Sequence, residues 1–111
     1  MNAAVLGDVV NLRKQLDEGL SPNGTDETGQ TLLHAACYSG NLACADLLLE
    51  RGADVNATTT IFEETPLHLA CRQGHVEVVA LLLRQGAKAM LTDRFGATPL
   101  HIAARSNNID W

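Results

Sequence analysis

Apolar positions recur along most of this chain with the period of a helix rather than that of a strand. Between Asn41 and Arg51, Leu42, Ala45, Leu48 and Leu49 mark one line, and between His75 and Gln85, Val76, Val79, Leu82 and Leu83 mark another. Each line predicts an amphipathic helix. A thinner line of Val9, Leu12 and Leu16 predicts a related helix near the start. A second kind of helix is announced by Thr65-Pro66 and Thr98-Pro99, because threonine offers an N-cap acceptor and proline presets the first helical φ. Such helices should end at Gly40 and Gly74, where a left-handed residue just past the helix is cheapest for glycine. The predicted unit is helix, turn, helix and then an extended finger.

The unit repeats. Thr65-Pro66-Leu67-His68-Leu69-Ala70 returns as Thr98-Pro99-Leu100-His101-Ile102-Ala103, with a weaker copy at Thr31-Leu32-Leu33-His34-Ala35-Ala36. His34 and His68 are 34 residues apart and His68 and His101 are 33 apart, a period at which each unit must lean on its neighbours for a core. Glycine keeps the same register at Gly7, Gly40 and Gly74, and again at Gly19, Gly52 and Gly86, while Asn107 takes the next slot of the first series.

In these features the chain resembles the ankyrin repeat, whose pattern is Thr-Pro-Leu-His-x-Ala at 33 residues. The resemblance spans essentially the whole sequence and is also carried by Asp26 to Gly29, Leu48, Leu49, Gly52-Ala53-Asp54-Val55-Asn56-Ala57 and Gly74-His75-Val76-Glu77-Val78-Val79. It implies an all-α architecture with short β-hairpin fingers, an α-solenoid of stacked helix-turn-helix units with the fingers at about a right angle. Within it, residues 1–25 are expected to form an N-terminal capping unit, 26–57 a second, 58–91 a third, and 92–111 a truncated fourth. The first unit lacks the Thr-Pro-Leu-His box, and Lys14 and Gln15 replace Leu47 and Leu48 of the next, the polar outer face a terminal unit needs. Asn108-Ile109-Asp110-Trp111 aligns with the start of the second helix, so the last helix is cut within its first turn. That uncapped end favours a natural chain that continues.

Composition narrows the function. The 111 residues are 46% hydrophobic and 19% charged, as expected of one soluble domain, and no run approaches the ~18 apolar residues of a membrane span. No leader opens the chain, so an intracellular place, cytoplasmic or nuclear, is expected. The net charge of −5, with Lys14 and Lys88 as its only lysines, argues against nucleic acid, which needs a basic patch. Cys37, Cys44 and Cys71 form an odd set that suits a reducing compartment. Cys37 and Cys71 are one unit apart, and packed helices about 8–10 Å apart exceed the roughly 7 Å Cα limit of a disulfide. These thiols are read as small apolar filler.

No metal or cofactor is expected. Zinc needs nitrogens roughly 2.0–2.1 Å from one ion, whereas rings a whole unit apart cannot share a ligand sphere. The resemblance implies instead that each histidine bonds the threonine three residues earlier, Thr31 with His34, Thr65 with His68 and Thr98 with His101, and braces the next unit. His75 is read as solvated or turn-bracing. Cysteine and histidine recur only as members of the repeat, and no phosphate loop, carboxylate pair or nucleophile elbow is present, so an enzyme is not expected.

What remains is recognition of a partner protein or peptide. The resemblance implies that the positions free to vary face that partner: Glu27, Thr28, Gln30, Tyr38 and Ser39 in the second unit, Ile61, Phe62, Glu64, Arg72 and Gln73 in the third, and Arg94, Phe95, Ala97, Arg105 and Ser106 in the fourth. Tyr38, Phe62 and Phe95 are three of the four aromatic residues in the chain, and aromatics with arginines dominate interface energetics. A partner with apolar and acidic side chains is expected to meet Phe62 and Phe95 and the flanking Arg72, Arg94 and Arg105. Alternatively, the two phenylalanines cover neighbouring fingers. The third finger is one residue longer than the second, and Glu63 stands where Gly29 and Gly96 stand elsewhere, so its tip is expected to adopt another turn. The resemblance also marks Asn56 for bonding to the finger backbone and for hydroxylation by an asparaginyl hydroxylase. Two further readings stay open: an intramolecular regulatory segment of a larger protein, and a scaffold associating end to end near Ile109 and Trp111, though a monomer is the simpler expectation.

Overall fold

The computed structural model describes residues 9–106. Six helices occur among them: α1 (Val9–Asp17), α2 (Leu32–Ser39), α3 (Leu42–Glu50), α4 (Pro66–Gln73), α5 (Val76–Arg84) and α6 (Pro99–Ser106). The inner layer stacks α2 on α4 and α4 on α6; the outer layer stacks α1 on α3 and α3 on α5. This is the expected solenoid. The fingers are tight turns rather than strand pairs, since among the described residues there is no strand and only an isolated bridge between Thr25 and Thr31. Met1, Gly7 and the segment from Asn107 to Trp111, which carry the predicted cap start and the predicted last helix, lie outside the described residues.

The inner helices start and stop as their residue types dictate. Thr31 and Thr65 sit in extended backbone and accept from the N–H groups of His34 and His68, while Pro66 occupies the first turn of α4. Gly40 and Gly74 close α2 and α4 with φ of 75° and 72°. Gly40 is further constrained because a Cβ there would lie 2.6 Å from the His75 ring.

One continuous core joins the layers through Leu12, Leu33, Leu48, Leu67, Val78 and Leu82. Outer-helix burial differs from the apolar line read in the sequence. Cys44, Ala45, Leu47 and Leu48 are buried in α3, and Val78, Val79, Leu81 and Leu82 in α5, while Leu42, Val76 and Leu83 are exposed. Ala45, Leu48, Val79 and Leu82 belong to both stripes, and the buried face lies opposite the exposed Asp46 and Glu50 in α3 and Glu77 and Arg84 in α5. In α1, by contrast, Leu12 and Leu16 are buried and Lys14 and Gln15 exposed, as the sparse pattern demanded. On the flank of α6, Leu100 is 67% exposed although Leu33 and Leu67 at equivalent positions are buried. There Leu67, Cys71, Val79, Leu83, Leu100 and Ala103 border an apolar groove of about 250 Å³.

The third finger departs from the turn of its neighbours in length but keeps its handedness. Gly29 and Gly96 donate to carbonyls three residues back, at Asp26 and Asp93; Glu63 donates to Thr59 O, four residues back. The extra residue widens the turn as expected. Yet the positive φ persists, on Glu63 at 55°, among the described residues the one non-glycine in this region. A left-handed L-residue costs about 1–2 kcal/mol. Glu63→Gly should therefore stabilise the chain by about 1 kcal/mol in urea unfolding, and an unchanged or lower midpoint would count against strain at this tip.

Candidate functional site

Two kinds of bond set the fingers beside the inner helices. The first runs through the histidines. His34 Nδ1 accepts from Thr31 N–H at 3.1 Å, and His34 Nε2 lies 2.9 Å from Glu64 O in the next finger. His68 repeats this with Thr65 at 3.1 Å and Ala97 O at 2.9 Å. A carbonyl acceptor requires the proton on Nε2, and with Nδ1 accepting at its other side each ring is a buried cross-brace. Burial, outweighing the pull of Asp26 and Asp54, holds His34 down at a pKa of about 4. His75 braces from the outer side, its Nε2 lying 3.0 Å from Tyr38 O.

The second kind runs through loop carboxylates and amides. Asp26 Oδ1 accepts from the N–H groups of Thr28 and Gln30, and Asp93 Oδ1 from those of Phe95 and Ala97. The Thr28 hydroxyl, then the backbone of Gln30, holds the Asp26 carboxyl below the usual range. In the longer finger Thr59 Oγ1 takes over, accepting from Glu64 N–H at 3.1 Å. Neighbouring fingers are tied by Thr60 N–H to Thr28 O at 2.7 Å and Arg94 N–H to Phe62 O at 2.8 Å. Further from the tips, Asn56 Nδ2 donates to Gly86 O at 3.5 Å and its Oδ1 accepts from Lys88 N–H at 2.9 Å. Asn23 makes the equivalent pair to Gly52 O and from Asp54 N–H, at 3.0 and 2.7 Å. That role escaped sequence reading because Ser21-Pro22 before Asn23 breaks the Gly-Ala-Asp-Val pattern preceding Asn56.

The face left over carries most of the predicted positions. Glu27, Thr28, Tyr38, Ser39, Ile61, Phe62, Gln73, Arg94, Phe95 and Arg105 are exposed, and Gln30 and Arg72 half-buried. Phe95 is 74% exposed, yet its ring lies 6.2 Å from that of Phe62, so the two phenylalanines form one apolar surface across two fingers. Tyr38, Ile61, Phe62 and Leu69 surround a cleft of about 370 Å³ whose polar walls are Thr28, Gln30, Thr59 and Glu64. Leu69 and Thr59 were not among the predicted contacts. Leu69 had a signal, being the variable x of Thr-Pro-Leu-His-x-Ala.

Two predicted positions lie inward. Glu64 is 8% exposed and Ala97 7%, each presenting the backbone carbonyl that a histidine holds. Glu64 also pairs with Arg72, so the charge at Arg72 is matched within the chain, and Arg94 Nη1 donates to Ile61 O at 3.2 Å. Ser106 ends α6. Cys37, Cys44 and Cys71 are buried and none is in a disulfide. Burial pushes the Cys37 thiol far up and that of Cys71 to about 11, the reverse of what a nucleophile needs. Among the described residues no group of three or more His, Cys, Asp or Glu could hold a metal ion, and no helix is long and apolar enough to cross a membrane.

Known proteins are similar to this chain in sequence. Family models for ankyrin repeats match residues 2–49, 33–83 and 95–111. Protein PhlB of Serratia liquefaciens is 38% identical over 96 residues, covering 86% of this chain and 42% of that protein. An ankyrin repeat-containing protein of Schizosaccharomyces pombe is 49% identical over 43 residues, covering 39% and 21%. The palmitoyltransferase akr1 of Emericella nidulans is 49% identical over 109 residues, covering 97% of this chain but 15% of the enzyme. The chain thus spans less than half the length of these curated relatives. Ankyrin repeats are in general non-catalytic modules of protein–protein interaction. The matched residues, the stacked helix pairs and the histidine braces together make this chain a member of the ankyrin repeat family.

Proposed function

We propose that this chain is a non-catalytic, intracellular recognition module that binds a partner protein or peptide on its finger and inner-helix face. The observation that carries this reading is the exposed Tyr38, Ile61 and Phe62 around the 370 Å³ cleft, extended by Phe95 against the Phe62 ring. None of these side chains is buried in the stack, and a contiguous apolar patch with polar walls is the usual mark of an interaction site. The partner segment sets apolar side chains into the cleft. Its carboxylates face Arg94 and Arg105, since Arg72 is already matched by Glu64.

The test is capture of cellular partners by the wild type, a Phe62→Ala/Phe95→Ala variant and an Arg94→Glu/Arg105→Glu variant. Loss of the two exposed rings should weaken binding at least about tenfold, since hot-spot truncation costs roughly 2 kcal/mol or more, with little change in unfolding midpoint. Equal recovery by all three proteins would remove this face as the binding site. The apolar groove beside α6 favours a second reading, end-to-end self-association. Light scattering at two concentrations separates the two, because a mass that rises with concentration belongs to the second alone.

A further inference from the structure

Asn23 and Asn56 do the same work one unit apart, but their C-terminal neighbours differ. Asn23 precedes Gly24 and Asn56 precedes Ala57. The Ala57 N–H donates to Asp54 O at 3.3 Å, and the turn at Pro22-Asn23 brings the Gly24 N–H to Ser21 O in the same way, so the two sites differ in residue type and not in turn. Gly24 is exposed, and a Cβ built on it would come no nearer to a neighbour than 3.8 Å, at Ser21 O. Its φ is not left-handed, so neither space nor backbone requires glycine there.

We infer that Asn23 is a site of spontaneous deamidation that releases the first unit from the second. The Gly24 nitrogen, after losing its proton to water or hydroxide, attacks Asn23 Cγ. The bond from Cγ to the side-chain nitrogen breaks and ammonia leaves, giving a five-membered succinimide. Water then adds to either ring carbonyl and opens the ring to aspartate or isoaspartate, with no change of oxidation state. Glycine suits this step because it puts no side chain in the path of its own nitrogen.

The product cannot hold the contact. Asn23 Nδ2 donates to Gly52 O at 3.0 Å, and after conversion a carboxylate oxygen faces that carbonyl with no proton between them. The new charge also falls beside Asp54, whose N–H bonds Asn23 Oδ1 and whose carboxylate accepts from Asn56 N–H. Among the described residues, α1 is also held by the burial of Leu12 and Leu16, by Val9 against the core, and by the ion pair of Asp17 with Arg51 at 2.7 Å, a kind of contact that contributes at most about 1 kcal/mol. Isoaspartate also lengthens the main chain at this turn. Conversion is one-way, so coupling between the first two units decays with the age of the molecule.

The experiment incubates the intact chain in mildly alkaline buffer and tracks residues 23 and 56 by peptide mapping that resolves isoaspartate. Wild type should accumulate aspartate and isoaspartate at 23 and keep the amide at 56, and Gly24→Ala should keep both amides with an unchanged unfolding midpoint. Asn23→Asp should speed hydrogen exchange in α1 about tenfold, the ratio expected for one lost hydrogen bond, while α5 exchanges as in wild type. Equal conversion at 23 and 56, or a retained amide at 23 while urea-unfolded chain converts, would overturn the site. Wild-type exchange in Asn23→Asp would overturn the release.

Discussion

His68→Ala is expected to destabilise the chain by about 3 kcal/mol, and His101→Ala by less than about 1 kcal/mol. The two residues occupy the same place in successive units and bond the threonine three residues earlier in the same way, with Thr98 Oγ1 lying 3.0 Å from the ring of His101. They differ in burial. His68 is fully buried and its Nε2 reaches Ala97 O, so its removal leaves the Thr65 N–H without its acceptor, leaves the Ala97 carbonyl with Asp93 N–H alone, and opens a cavity between α4 and α6. The His101 ring is exposed, and water can replace what it offers. Urea unfolding of both variants measures the difference. Hydrogen exchange adds a spatial check, because in His68→Ala the amides of α6 should open ahead of those of α2. Equal midpoint shifts for the two variants would mean that the inter-unit bond contributes little.

Acid should destabilise this chain well before its carboxylates titrate. His34 has a pKa of about 4 when folded and 6.5 in its ordinary state. Below pH 6.5 the unfolded chain takes up a proton that the folded chain refuses, so stability falls with pH and the loss levels off near pH 4. Across that window one such group removes about 3 kcal/mol, with a slope that reaches about one proton. Asp26, whose carboxyl is held low by its finger bonds, acts only below its ordinary pKa of 3.8 and stays outside the window. Urea midpoints taken at intervals from neutral to acid pH give the slope. A His34→Gln variant, less stable at neutral pH, should have lost this part of the pH dependence; an unchanged slope would reassign the acid sensitivity to other groups.

How far the sequence speaks depends on whether a feature is periodic. The caps at Thr31, Thr65, Gly40 and Gly74 were legible because each recurs at a fixed offset and local chemistry decides it, while the stack and the histidine braces, which reach the next unit, followed from the resemblance to the ankyrin repeat. Orientation within α3 and α5 was read only in part, since the runs Leu47-Leu48-Leu49 and Leu81-Leu82-Leu83 blur the apolar line, while the exposed Asp46, Glu50, Glu77 and Arg84 mark the opposite side. At the candidate face, exposure of Tyr38, Phe62 and Phe95 followed from their variable slots, but the inward turn of Glu64 toward Arg72 did not. Two residues eight apart reveal no ion pair until the finger folds back over its own helix. Glu63 shows the opposite limit. Its residue type argues against a positive φ, and the turn around it, closed at Thr59 and tied to Arg94 through Phe62, imposes one.

The two histidine cross-braces also settle how this architecture can diversify. His34 meets its carbonyl across 30 residues and His68 across 29, yet both contacts measure 2.9 Å. The additional residue sits in the loop closed between Thr59 and Glu64, and the brace beyond it keeps its length. That loop is therefore a splice point. Longer or unrelated sequences grafted there can change what is recognised while the supporting frame keeps its register, so specificity and stability are free to evolve on separate accounts.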